Sequence, residues 1–174
     1  MNRRQFIRAG LLGSAALAAG SAWVVWRDVR EADHPGSATQ SRDRVAEIVA
    51  AIAPVLLAGA LAADPGRRSV ELVDVTQGVK FVIAGFPPAV RSEVLQLFRL
   101  LDIRIARRLL AGFSAPWQDA GRKDIEVFLE RWRHSPFTLL QGGYFALHDM
   151  VLGAWYAREA SWAALGYGGP PAVE

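Results

Sequence analysis

Apolar residues recur at intervals of three and four over most of this chain, the signature of helices that each bury one face. From Ser41, a suitable N-cap, the run Val45, Ile48, Val49, Ile52 and Leu56 keeps that spacing. Pro54 inside the run predicts a kink or a break into two pieces, and Asp64-Pro65-Gly66 predicts its end. Ser69 to Gly85 is rich in β-branched residues, which favour strands. Its Leu72, Val75, Val79, Val82 and Phe86 still step by three or four, and no partner strand is evident, so a helix is expected. Phe86-Pro87-Pro88 makes the next turn and puts Pro88 at the first position of a helix. That helix carries Val90, Val94, Leu97, Phe98, Leu101 and Ile105 on one face and ends by Gly112.

Gly112 to Gly121 reads as a loop with Pro116-Trp117 at its centre, the aromatic folding back over the helices. Arg122 to Arg133 is a short helix with Ile125, Phe128, Leu129 and Trp132 on its apolar side. Ser135-Pro136 then caps the longest apolar helix, which runs to about Tyr156. Gly142, Gly143 and Gly153 lie within it, each costing about 1 kcal/mol relative to Ala. Gly142, Ala146 and Gly153 share a face, along which a neighbouring helix could approach closely. After one helical turn from Ser161 and a stop at Gly166, the tail Tyr167-Gly168-Gly169-Pro170-Pro171 is too rich in Gly and Pro for a regular element. It is expected to lie extended against the helices or a partner. The expected fold is therefore all-α: a single helical bundle of about five helices over residues 41–174, preceded by a signal or anchor helix over residues 1–26 and a flexible tether over residues 27–40.

The N-terminus sets where such a domain would work. Arg3 and Arg4 are adjacent, Phe6 and Ile7 follow at the next-but-one and following places, and Arg8 adds a base, as in a twin-arginine export signal. Behind it Ala9 to Trp26 is uncharged and apolar, its hydrophobicity moderated by Gly10, Gly13, Ser14, Gly20 and Ser21. Ala16-Leu17-Ala18 and Gly20-Ser21-Ala22 both resemble cleavage sites. An uncleaved run of 18 residues would span roughly 27 Å as a helix, near the hydrocarbon thickness of a bilayer. The expected location is the periplasm, with anchoring to the inner membrane through an uncleaved signal left open.

Charge and composition remove several classes of function. Of the 20 Lys and Arg, five lie before residue 37, against three of the 17 Asp and Glu. The remainder holds 15 bases and 14 acids, so neither a nucleic-acid groove nor a polybasic membrane patch is indicated by charge. Without cysteine there is no disulfide, thiolate metal site or covalent haem attachment. No E-x-x-H or H-x-x-x-H spacing suggests a metal site, and no nucleotide-binding or nucleophile-elbow motif occurs. The one candidate polar site is Tyr144, His148 and Asp149. Consecutive helical residues point about 100° apart, so the expectation is a buried His148 bonded to a carbonyl and an Asp149 paired with an arginine. No catalytic or metal-binding residue is expected. Arg99, Arg104, Arg107 and Arg108 read as a solvated basic side of their helix in preference to a docking surface.

The leader, together with Phe128 to Ser135, Tyr144 with His148-Asp149, Gly153 to Tyr156 and Ser161 to Tyr167, resembles small twin-arginine-leader subunits of flavin-dependent glucose-methanol-choline oxidoreductases, similar to the gluconate 2-dehydrogenase subunit 3 group. The resemblance implies a non-catalytic chain that helps mature and export a flavoprotein dehydrogenase of sugars or alcohols. Its partners would be the twin-arginine translocase, the flavoprotein large subunit and, in some complexes, a cytochrome subunit. FAD would reside in the large subunit and no cofactor in this chain. Interface centres are enriched in large aromatics, which makes Trp155, Tyr156, Trp162, Tyr167 and Pro170 the candidate partner-binding residues. The alternatives are a stand-alone periplasmic enzyme using His148 and Asp149, and an anchored structural protein. An open polar pocket around His148 would favour the enzyme; an apolar patch near Trp162 and Tyr167 would favour the subunit.

Overall fold

The computed structural model describes residues 37–162 together with Gly166 and Gly168. The export signal (Arg3, Arg4, Phe6 and Ile7), its apolar run, most of the tether, Tyr167 and Pro170 lie outside the described residues. Among the described residues all regular secondary structure is helical. The elements are α1 (Ser37–Leu56), α2 (Pro65–Gly85), α3 (Pro88–Asp102), α4 (Arg104–Leu110), a 3-10 turn (Trp117–Asp119), α5 (Arg122–Arg133), α6 (Thr138–Tyr156) and α7 (Glu159–Trp162).

α1 buries Val45, Ile48, Val49, Ile52 and Ala53, one stripe at the predicted spacing. It begins at Ser37, so Ser41 lies inside the helix rather than capping it, and the last four residues assigned to the tether are helical. Pro54 neither kinks α1 into a second helix nor lets it run on. Lacking an N–H, it marks the last turn, and α1 ends two residues later. The next turn contains Gly59 at φ 87°, a left-handed conformation suited to glycine. Asp64-Pro65-Gly66 therefore does not end α1 but starts α2. Asp64 caps it by accepting from the Arg67 N–H at 2.8 Å, with Pro65 at its first position.

Helix α2 forms despite its β-branched content because Val75, Val79 and Ile83 repeat every fourth residue into the core. Thr76 beside them returns its hydroxyl to the Leu72 carbonyl at 2.8 Å. At its C-terminus, carbonyls that the helix cannot satisfy are taken by Arg91, whose Nη2 donates to Ala84 and Phe86. Pro88 opens α3 as predicted, and Phe98 and Leu101 are buried.

The predicted continuation of α3 to Gly112 is broken at Ile103, whose ψ of 119° is extended. The break shifts the helical phase of α4 relative to α3. In an unbroken helix Ile105 would share the face of Phe98 and Leu101; here it is 73% exposed, and Arg107 is only 5% exposed. Arg107 thus leaves the solvated basic side expected for it, its Nη1 donating to the Asp102 carbonyl at 2.8 Å.

Trp117 folds back as predicted, buried, with its indole N–H donating to the Leu101 carbonyl at 3.0 Å. It lies between Phe113 and Phe128 in an edge-to-face series that ends at Trp132, with successive ring centroids 4.8 to 5.7 Å apart. Ile125, Phe128, Leu129 and Trp132 of α5 all face the core. Ser135 does not cap α6, which starts at Thr138; its hydroxyl instead accepts from the Phe137 N–H at 3.1 Å.

Close helix approach does occur, though not at the glycines expected. A Cβ on Gly142 or Gly153 would meet nothing within 4 Å, whereas one on Gly143 would lie 2.5 Å from the Trp132 ring, and one on Gly78 would lie 2.9 Å from Ala154 Cβ. α6 is therefore pressed against α5 at Gly143 and against α2 at Gly78. These contacts close one hydrophobic core drawn from α1 to α6.

Candidate functional site

Tyr144, His148 and Asp149 follow one another along α6. Leu147, Val151 and Ala154 anchor the inner side of this helix, and Tyr144 is buried with them. His148 lies one turn on, its ring stacked on Tyr144 at 5.5 Å between centroids and 30° between planes. Its side chain is 31% exposed, and its Nδ1 lies 2.9 Å from Asp149 Oδ1. The expectation of a buried histidine on a carbonyl and an aspartate on an arginine is thus corrected. The backbone directions of neighbours diverge, but these two side chains curl back and meet.

An ionised carboxylate can only accept, so Nδ1 carries the proton of this contact and Nε2 remains for exchange with another group. The arrangement can orient an imidazole and pass a proton. Asp149 is mostly solvent-exposed, so the pair sits at the rim of the fold. Among the described residues, no group of three or more His, Asp or Glu is placed to hold a metal ion. An open groove of about 580 Å³ lies elsewhere, between Ala46, Ala50 and Pro54 of α1 and Trp117, Ala120 and Ile125.

The aromatic candidates divide between core and surface. Trp155 is buried, with the Arg158 guanidinium 5.2 Å from its ring centroid, so its indole is part of the core. Tyr156 is exposed, and Trp162 is half-buried with its indole N–H on the Tyr156 carbonyl at 2.7 Å. The corner carrying them is tied to α2 by Arg158, which donates to Asp74 at 2.8 Å. Tyr167 and Pro170 lie outside the described residues.

Two features escaped the sequence reading. One is a charge network in which Arg44 Nε donates to Asp102 Oδ2 at 2.7 Å, while Arg107 Nη1 lies 4.0 Å from Oδ1 of the same carboxylate. The Arg107 Nε is buried without a partner. The other is a second apolar face on α2, where Val70, Val73 and Phe81 are exposed. Its signal was present in the sequence, because α2 carries more apolar residues than one face can use.

Comparison of the chain with models of known families, with curated proteins and with solved structures finds no match.

Proposed function

We propose that the chain is a non-catalytic accessory subunit that binds a periplasmic flavin-dependent dehydrogenase of sugars or alcohols and co-exports it through the twin-arginine signal. In this reading the helices form a single bundle, FAD belongs to the partner, and in some such complexes a cytochrome subunit accepts the electrons. The observation that carries the reading is the Arg3-Arg4 pattern joined in one chain to the aromatic block from Phe128 to Tyr167. Large apolar side chains left at the surface, Phe81, Leu139 and Tyr156 among them, support a chain that works in a complex.

The test is affinity purification of the tagged full chain from its host's periplasm and membranes, with an absorption spectrum of the eluate. A stoichiometric larger chain with flavin bands is expected, and replacing Arg3 and Arg4 with Lys should keep both proteins in the cytoplasm. Periplasmic arrival of the flavoprotein in that variant would sink co-export. A second reading, a stand-alone enzyme, is favoured by the His148–Asp149 contact under Tyr144. A lone colourless chain in the purification would move the weight to it or to an anchored structural protein.

A further inference from the structure

α4 turns two neighbouring stripes to solvent. Ile105 and Leu109 are 73% and 75% exposed, and Arg104 and Arg108, each one residue earlier, are exposed too. Residues four apart on a helix stand one above the other, so the aliphatic side chains form one ridge and the guanidiniums the ridge beside it. Among the described residues no carboxylate pairs with Arg99, Arg104 or Arg108. The one acid in this stretch, Asp102, is already engaged by Arg44 and Arg107. At the far end of α4, Arg131 reaches over to donate to the Leu110 carbonyl, adding another cation. Near-neutral composition thus conceals a local concentration of positive charge next to exposed aliphatic surface.

We propose that α4 docks on an anionic phospholipid surface, with Ile105 and Leu109 entering the interfacial layer and Arg104 and Arg108 lying against the lipid phosphates. Basic and apolar side chains on adjoining stripes are the pattern of elements that lie in a membrane interface. Arginine suits this role because its long apolar stem can follow the aliphatic ridge while its head stays with the phosphates. An acidic protein surface would satisfy the same charges, but protein interfaces are anchored chiefly by Trp, Tyr and Arg, with leucine under-represented, and the exposed ridge of α4 is aliphatic, Ile105 and Leu109. This docking draws on the reading in which the signal stays uncleaved: the apolar run from Ala9 to Trp26 would then hold the domain beside a bilayer and raise the local lipid concentration that α4 meets.

The chain contains no cysteine, so Leu109→Cys gives a single attachment point for a polarity-sensitive fluorophore in the full-length protein. The N-terminal run can bind vesicles by itself, so the environment of position 109 is read rather than binding of the whole chain. The fluorophore should shift to the blue on phosphatidylglycerol vesicles, should not shift on phosphatidylcholine, and should lose the shift at about 0.5 M salt, where the screening length is only a few ångströms. Adding Arg104→Gln and Arg108→Gln should raise the lipid concentration for half-maximal shift on the order of tenfold. Circular dichroism would verify that these surface variants keep their helix content. A fluorophore that stays in water while the chain sediments with phosphatidylglycerol vesicles would overturn the proposal and leave an acidic protein face as the occupant of α4. Equal shifts on both lipids would overturn it as well, since the arginines would then contribute nothing.

Discussion

Gly78 on α2 and Ala154 on α6 meet so closely that a Cβ added to Gly78 would lie 2.9 Å from that of Ala154 and 3.5 Å from its Cα. Helix α6 runs past α2 at this point, and the missing side chain is what lets it. Gly78→Ala should therefore destabilise the domain by about 1 to 3 kcal/mol through overpacking, in spite of the better helix propensity of Ala. On the outer side of α6 the same substitution has the opposite sign. Gly142→Ala and Gly153→Ala meet open space and should each stabilise by about 0.5 to 1 kcal/mol. Urea midpoints of the three variants decide this, and a stabilised Gly78→Ala would refute the packing described.

Asp64 should be worth about 1 kcal/mol to α2, since its carboxylate accepts the Arg67 N–H that the helix itself cannot pair. Asp64→Ala should lower the denaturation midpoint accordingly, while Asp64→Asn, which keeps the acceptor, should cost only a few tenths. Equal losses in both variants would mean that the charge, and not the cap, is what matters.

Arg107 bridges the α3–α4 break, and its partners predict an asymmetry. Asp102→Asn leaves a buried guanidinium without a nearby carboxylate; because Asp102 is 38% exposed, the cost is on the order of 1 to 2 kcal/mol. Arg107→Met removes the buried cation together with its unpartnered Nε and should stay within about 1 kcal/mol of the parent. Thermal unfolding of both variants tests the order. A more severe loss for Arg107→Met would show that its bond to the Asp102 carbonyl dominates.

These contacts explain which parts of the molecule could be read from the sequence. The face of α5 was legible because Ile125, Phe128, Leu129 and Trp132 form one stripe, with Val127 the one apolar residue of the helix outside it. The helical nature of α2 was legible from its spacing, and the predicted face of Leu72, Val75, Val79, Val82 and Phe86 is the one packed into the core; the second apolar face of Val70, Val73 and Phe81 was not read. The break at Ile103 was not legible. No Gly or Pro marks it, and it accompanies bonds from Arg107 that reach back across the break. Spacing told which glycines of α6 share a face but not what stands opposite, so Gly143 and Gly78, which do make close contacts, were missed as contact points. Asp64-Pro65 is equally good as a stop and as a start, and only the left-handed Gly59 upstream resolves it. At Tyr144, His148 and Asp149 the helix directions were foreseen, but the contact depends on rotamers that a helical projection does not contain.

The aromatic corner offers the sharpest separation between stability and partner binding. Trp155 is part of the core, so Trp155→Ala should cost about 3 to 5 kcal/mol, and any loss of a partner in that variant would reflect unfolding. Tyr156 is the informative neighbour. The residue is 45% exposed, and its hydrogen bond with Trp162 uses its backbone carbonyl, which Ala retains. Tyr156→Ala should therefore unfold within about 0.5 kcal/mol of the parent, as surface substitutions usually do. If the corner docks the flavoprotein, removing a ring of this size should weaken the complex by about 2 kcal/mol or more, a loss of roughly thirtyfold in affinity. The measurement is the flavin absorbance recovered per mole of tagged chain at several salt washes, with circular dichroism as the control for folding. A normally folded Tyr156→Ala variant that recovers as much flavin as the parent would remove this corner from the docking surface, leaving the other exposed apolar faces of the domain to carry the partner.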